Sequence, residues 1–296
     1  MKLLVIFNSF AQAGRSAGKA SALQRAFSEH SIETEFLAPN APGNATRLVA
    51  QACLADFDGV VAVGGDGTVF EVLNGLFAHP PDMRIPMGIV PMGTGNAFAR
   101  EFDLYSDKWP VAISRMAKNN LRTVDVAHVM SDGDEYYFLN ILGIGFATKA
   151  GMRSKKLKPL GNAAYTLGTL WETLKLKSYP LVIELDGLKI ERENIMVEVC
   201  NSRYTGTSFL IAPGAEVDDG LLDVILLNDL SRLRLLKLFP TIYTGRHIEF
   251  DEIETFKASH IKILSPCSML ATVDGEFRGK TPIEIQCLPK ALELLI

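Results

Sequence analysis

From Leu3 to about residue 120, short apolar runs alternate with stretches whose apolar positions recur at helical spacing. Leu3–Phe7, Ile32–Leu37, Gly59–Val63 and Met87–Val90 read as strands. Residues 16–30, 44–55 and 68–77 read as helices, with Ser16 placed to cap the first. The run from Gly59 to Val63 has no polar position, which predicts a strand covered on both faces of a parallel sheet. Strand–helix alternation predicts a right-handed, doubly wound α/β domain.

Beyond about residue 122 the period shortens. Residues 123–130, 135–142, 181–185, 195–200, 221–227, 261–264 and 270–273 read as strands. Turn residues separate most of them, among them Asp132-Gly133-Asp134, Asp186-Gly187, Asp219-Gly220 and Asp274-Gly275. That spacing predicts an all-β sandwich, interrupted by helical inserts at 160–176 and 231–243. The expected organisation is an α/β domain over 1–122, a β-sandwich domain over 123–280, and a segment over 281–296 that returns to the first domain. Two domains packed directly would place the default site in the cleft between them.

Composition narrows the function classes. The 296 residues are 48% hydrophobic and 22% charged, the balance of a globular chain rather than a disordered or fibrous one. The net charge of −4 argues against a protein that coats nucleic acid. No run approaches the roughly 18 apolar residues of a spanning helix. The first apolar run stops at Asn8-Ser9, too short for a secretory signal, so it reads as a buried strand. Cys53, Cys200, Cys267 and Cys287 form no CxxC pair, which excludes a zinc ribbon or disulfide scaffold and implies a reducing, cytoplasmic setting. The five histidines are scattered, without metal-ligand spacing.

Two segments carry chemistry. In Val60-Val61-Ala62-Val63-Gly64-Gly65-Asp66-Gly67-Thr68 an apolar strand runs through glycines into a helix. Glycines admit a phosphate close to the backbone, and the amides of the helix start bind it. Asp66 would repel phosphate unless it acts through Mg²⁺ or takes a proton from an acceptor hydroxyl. Read alone, the segment also fits a Gly-rich turn with a capping Asp, the lesser of the two readings. In Ile89-Val90-Pro91-Met92-Gly93-Thr94-Gly95-Asn96 a second strand meets a second Gly-rich loop. Loops after adjacent strands predict one phosphate-binding rim at the carboxyl ends of the strands. No GxGxxG, P-loop, GxSxG or HExxH motif is complete.

These two loops resemble the catalytic domain of the diacylglycerol kinase and sphingosine kinase superfamily, above all its soluble bacterial lipid kinases. The resemblance extends to Asn8–Gly14, Tyr204-Thr205-Gly206, Ile211-Ala212-Pro213, Asp218 to Val224 and Val273-Asp274-Gly275-Glu276. It implies that ATP binds at Gly64, Gly65, Asp66, Gly67, Thr68 and Glu71, with Asn8 and with Gly93, Thr94 and Asn96 of the second loop. It implies Asp66, Glu276 and Asp125 as catalytic residues, Glu276 as the acid/base. It implies Mg²⁺ held by Asp219 with the backbone carbonyls of Glu216 and Leu221. Two positions depart from the pattern. Ala97 stands where many diacylglycerol kinases carry Asp, and Pro39 stands where relatives place a nucleotide-contacting Thr.

Independently of the resemblance, Asp218, Asp219 and Asp223 crowd one turn, where carboxylates repel unless solvent or a hard cation such as Mg²⁺ screens them. Arg153, Lys155, Lys156 and Lys158 precede a helical stretch with Leu160, Tyr165, Leu167, Leu170, Trp171 and Leu174. That arrangement suits either an anionic membrane surface or a solvated loop beside a packed helix. The expectation is an ATP- and Mg²⁺-dependent lipid kinase without a transmembrane segment, contacting membranes peripherally, with a homodimer as the assembly considered. A kinase of a soluble acceptor such as NAD and a non-catalytic nucleotide-responsive module are the competing readings.

Overall fold

The computed structural model describes residues 1–9, 17–156, 163–206 and 208–296. Ser16, Lys158, Leu160 and the stretch from 10 to 14 lie outside them. The chain divides into two compact units, residues 1–124 with 290–296, and residues 125–289.

The first unit contains β1 (Lys2–Phe7), α1 (Ala20–Glu29), β2 (Glu33–Leu37), α2 (Asn44–Ala50), β3 (Gly59–Gly64), α3 (Asp66–Phe77), β4 (Met87–Pro91) and α4 (Trp109–Met116). All pairings among its strands are parallel: β1 lies between β2 and β3, and β3 pairs with β4. Every residue of β3 and β4 is buried, as expected of strands covered on both faces. α4 was absent from the sequence reading. Its Pro110 sits in the first turn, where a missing N–H costs nothing.

The second unit begins within β5 (Leu121–Ser131). β6 (Asp134–Phe138), β7 (Ile141–Gly145), α5 (Phe146–Lys156), α6 (Ala163–Thr173), β8 (Tyr179–Leu185) and β9 (Leu188–Cys200) follow. Then come β10 (Tyr204–Thr205), β11 (Phe209–Leu210), β12 (Leu222–Asn228), α7 (Arg232–Leu238), β13 (Ile253–Ala258), β14 (His260–Leu264), β15 (Leu270–Val273), β16 (Glu276–Lys280) and β17 (Ile283–Leu295). Pairing here is antiparallel. The first half of β9 pairs with β8, and its second half lies between β7 and β12.

The stretch 135–142 is two strands rather than one, because the chain breaks at Leu139-Asn140 to feed Asp274 with amides. β13, β16, β17 and α5 were not anticipated. β17 pairs with β14 through Ile283–Gln286 and, in the first unit, with β4 through Leu294 and Leu295. Between them Pro289 and a left-handed Lys290 interrupt the alternation that would have marked the strand.

Candidate active site

In the first unit, parallel register brings the ends of β3 and β4 to one edge, with Gly64 opposite Pro91. The Met92 amide donates to the Gly64 carbonyl at 2.7 Å. The two Gly-rich loops then touch backbone to backbone: a Cβ on Gly93 would lie 2.3 Å from Gly65 Cα. Asn96, left-handed at φ 52°, closes its loop by exchanging two 2.8 Å bonds with Gly93. Asp66 opens α3 and reaches across, its Oδ1 accepting from the Ala97 amide at 2.7 Å. Burial pushes its pKa up to about 6, although the amides of Ala97, Phe98 and Asn96 pull the other way. Asn8 donates to Thr68 Oγ1 at 3.0 Å, which fixes the end of β1 beside the start of α3.

Other expected nucleotide residues differ in availability. Thr94 is exposed at the loop tip. Both oxygens of Glu71 accept amides at the start of α2, from Gly43 and Ala45 at 2.9 Å each, so Glu71 caps that helix. Pro39 and Ala97 are buried. Ala97 contributes its amide to Asp66 rather than a side chain.

In the second unit, Asp125 is fully buried, and its Oδ2 accepts the Gly220 amide at 2.6 Å. Its own amide donates to the Val217 carbonyl. Asp125 therefore anchors the acidic turn to β5. Asp219 Oδ1 accepts the Leu221 amide at 3.0 Å, and its Oδ2 meets Lys257 Nζ at 2.6 Å. The same ammonium lies 3.6 Å from Asp223 Oδ2, a buried oxygen with no hydrogen bond. Burial raises the Asp223 pKa to about 6, against the pull of Lys257. A carboxylate oxygen whose partner is a single ammonium at ion-pair distance, beside a second carboxylate, suits a hard cation. Lys257 already stands there as one. Among the described residues no three His, Cys, Asp or Glu side chains are grouped to hold an ion. A Mg²⁺ at Asp219 would thus depend on main-chain oxygens of Glu216 and Leu221 and on displacement of Lys257.

Glu276 stands exposed at the start of β16. The hairpin that carries it turns at Asp274 and Gly275, both left-handed at φ 46° and 86°. Asp274 and Glu276 do not share a role. Asp274 is buried, its carboxylate accepting amides of Leu139, Asn140 and Ile141 at 2.9–3.2 Å. β16 is held further by a two-pronged Arg278–Asp134 pair and by Ser131, which bonds both polar atoms of the Lys280 backbone.

Residues 2–129 match the family described as the diacylglycerol kinase catalytic domain, and residues 140–296 match the YegS C-terminal NAD kinase beta sandwich-like domain. A diacylglycerol kinase of Mycobacterium tuberculosis is 34% identical over 85% of this chain and 81% of its own length. The chain belongs to the diacylglycerol kinase family. A Bacillus subtilis diacylglycerol kinase is 30% identical over 94% of this chain and 90% of its own. A Bacillus anthracis crystal structure, of a candidate diacylglycerol kinase, superposes with a TM-score of 0.83 at 26% identity, covering 99% of this chain and 97% of that one. The α/β and β-sandwich architecture expected from the sequence is thus the architecture of diacylglycerol kinases. Lys257 and Asp274 were missed as site-building residues. Lys257 lies directly opposite Asp223 across β12 and β13, a cross-strand charge pair visible once β13 is recognised as a strand.

Proposed function

We propose that this chain transfers the γ-phosphoryl group of ATP, as its Mg²⁺ complex, to the hydroxyl of a lipid. The observation that carries the reading is the contact of two Gly-rich loops at the carboxyl edge of a parallel sheet, with Asp66 reaching from one to the other. The start of α3 presents the positive end of a helix, which favours an anion there. Phosphoryl transfer asks the protein mainly for positioning and charge neutralisation, so a rim of amides is a fitting donor site. Mg²⁺ supplies positive charge to the phosphates. Asp66 is ionised above about pH 6 and can accept the acceptor proton. Glu276, exposed on a rigid hairpin, is the second candidate for acid/base work, and Asp125 positions the acidic turn.

Membrane contact belongs to the same reading. On and after α6, Leu167, Leu170, Trp171 and Leu174 are exposed, the last at 63%. Arg153 lies over Trp171 and pairs with Glu172, so this part of the basic cluster is tied to the helix. Among the described residues no helix is long and apolar enough to cross a membrane.

A second reading, a kinase of a soluble acceptor such as NAD, draws on the NAD kinase-like description of the C-terminal family. ATP turnover with lipid micelles, with NAD and without acceptor separates the readings. Lipid-dependent turnover supports the lipid kinase; turnover with NAD alone overturns it.

A further inference from the structure

β16 ends its sheet, and β15 is its one strand partner among the described residues. Their register shifts between Leu270 and Thr272, where Ala271 of β15 faces both Arg278 and Gly279 of β16. A bulge of this kind bends a strand and interrupts its ladder. The interruption falls just past Glu276, so the course of β16 beyond that residue is set from elsewhere. The β5–β6 hairpin sets it. Arg278 Nε and Nη2 donate to the two carboxylate oxygens of Asp134, at 2.7 Å each. The guanidinium lies 4.9 Å from the centre of the Tyr136 ring, and the Tyr136 hydroxyl donates to the Arg278 carbonyl at 3.1 Å. Ser131 Oγ accepts the Lys280 amide at 2.8 Å and donates to the Lys280 carbonyl at 2.7 Å. Between them Gly279, left-handed at φ 78°, passes so close that a Cβ would collide with the Tyr136 hydroxyl.

Tyr136 and Ser131 are buried, and their part in this hold belongs to the core. Asp134 and Arg278 are different, with side chains 45% and 37% exposed. Hydrogen bonds from Arg278 hold the Asp134 carboxyl below the usual carboxylate range, so the pair is charged at neutral pH. An exposed ion pair adds little to stability. This one has the planar, two-bond geometry that fixes an orientation as well as attracting a charge. Residues two apart on a strand share a face, so Glu276 and Arg278 leave β16 on the same side. An orientation imposed on Arg278 is therefore passed to Glu276 through two residues of backbone.

We propose that Asp134 is a positioning residue for phosphoryl transfer: by gripping Arg278 it holds Glu276 at the angle that acid/base work requires. The inference rests on the lipid-kinase reading above and, within it, on the acid/base role of Glu276. Asp134 touches no substrate in this assignment. It acts through the Arg278 fork and the backbone of β16, and the bulge makes that grip necessary.

The test uses the full chain, labelled ATP and mixed micelles of dioleoylglycerol, with single-turnover kinetics beside thermal scans. Asp134→Ala should slow transfer by about 10- to 100-fold, the cost of a small displacement at a reacting centre, and leave the KM for ATP unchanged. Its melting temperature should move by no more than about 4 °C. Arg278→Lys keeps the charge but not the fork and should lose nearly as much. Asp134→Asn keeps one acceptor for Arg278 and should lose less. The deciding protein carries Asp134→Ala together with Glu276→Gln. With the positioned group already disabled, Asp134→Ala should cost less than about twofold more, whereas a merely structural role would cost the same in both backgrounds. Wild-type transfer by Asp134→Ala, or a full further loss in the double variant when Glu276→Gln is itself disabled, overturns the assignment while leaving the lipid kinase standing. Near-normal transfer by Glu276→Gln removes Glu276 from the chemistry and the assignment with it. If Asp134→Ala fails to fold, Asp134→Asn and Arg278→Lys in the same two backgrounds decide. A wild type that phosphorylates no lipid overturns the function itself.

Discussion

Asp66 joins two demands that conflict. Its place between the loops requires burial, while the proposed work as a base requires charge. An acid whose pKa is raised by burial holds its proton more tightly folded than unfolded. Its contribution to stability is therefore present below the ordinary carboxylate range and is lost as pH rises towards 6. Asp66→Asn escapes that loss and can still accept the Ala97 amide. The variant should gain in melting temperature relative to wild type as pH goes from 4 to 7, measured by thermal scans. Its turnover should fall roughly 10²-fold or more, and the rise of wild-type kcat through about pH 6 should vanish. Unchanged turnover would remove Asp66 from the chemistry. Gly65 and Gly93 act at the same scale. Gly65 has an ordinary φ of −101°, so the need for glycine there is one of space, not of a left-handed backbone. Gly93→Ala would drive a methyl into Gly65 Cα. Titration with labelled ATP should show at least about tenfold weaker binding, since small displacements of a positioning loop are costly.

At the scale of elements, the β15–β16 hairpin divides the work between its carboxylates. Asp274 fastens the turn and Glu276 faces outward. Asp274→Ala removes the acceptor of three buried amides and should lower the melting temperature by several degrees, with a fall in kcat because Glu276 is displaced. Glu276→Gln, which keeps the side chain's shape, should change the melting temperature far less than Asp274→Ala and should cut kcat. Paired thermal scans and single-turnover kinetics check both, and near-normal transfer in Glu276→Gln would leave Asp66 as the sole base.

The same elements show what could be read without coordinates. β3 was legible because burial on both faces leaves a run of apolar letters, and both loops because glycine marks tight backbone approach. β13 was not: Glu254, Thr255 and Lys257 dilute its alternation, and its charges find partners only across the sheet. Asp66 was legible as a chemical group, but its bond to Ala97, 31 residues on, was not. Neither was the capping role of Glu71 or the intrusion of Lys257 on Asp219. Each depends on segments distant in sequence meeting in space.

At the scale of the molecule, the acidic turn is a balance of charges. Lys257 and a divalent ion would compete for Asp219. Lys257→Met should lower stability in chelator, because it leaves Asp219 and Asp223 uncompensated, and should enlarge the rise in melting temperature on adding Mg²⁺. Asp219→Ala should abolish that rise. Thermal scans across a Mg²⁺ series decide; identical shifts in all three proteins would mean that the ion acts elsewhere.

β17 gives the first unit its last strand pairing, Leu294 and Leu295 against Met87 and Gly88 of β4. Synthesis on a ribosome delivers those residues about 200 positions after β4 itself, at roughly 5–20 residues per second. For that interval the emerging β4 offers an open, apolar backbone edge of the kind that recruits foreign strands. The two Gly-rich loops of this enzyme are thus exposed to misassembly until translation is nearly over, and a nascent chain stalled before residue 294 should depend on chaperones far more than the released protein does.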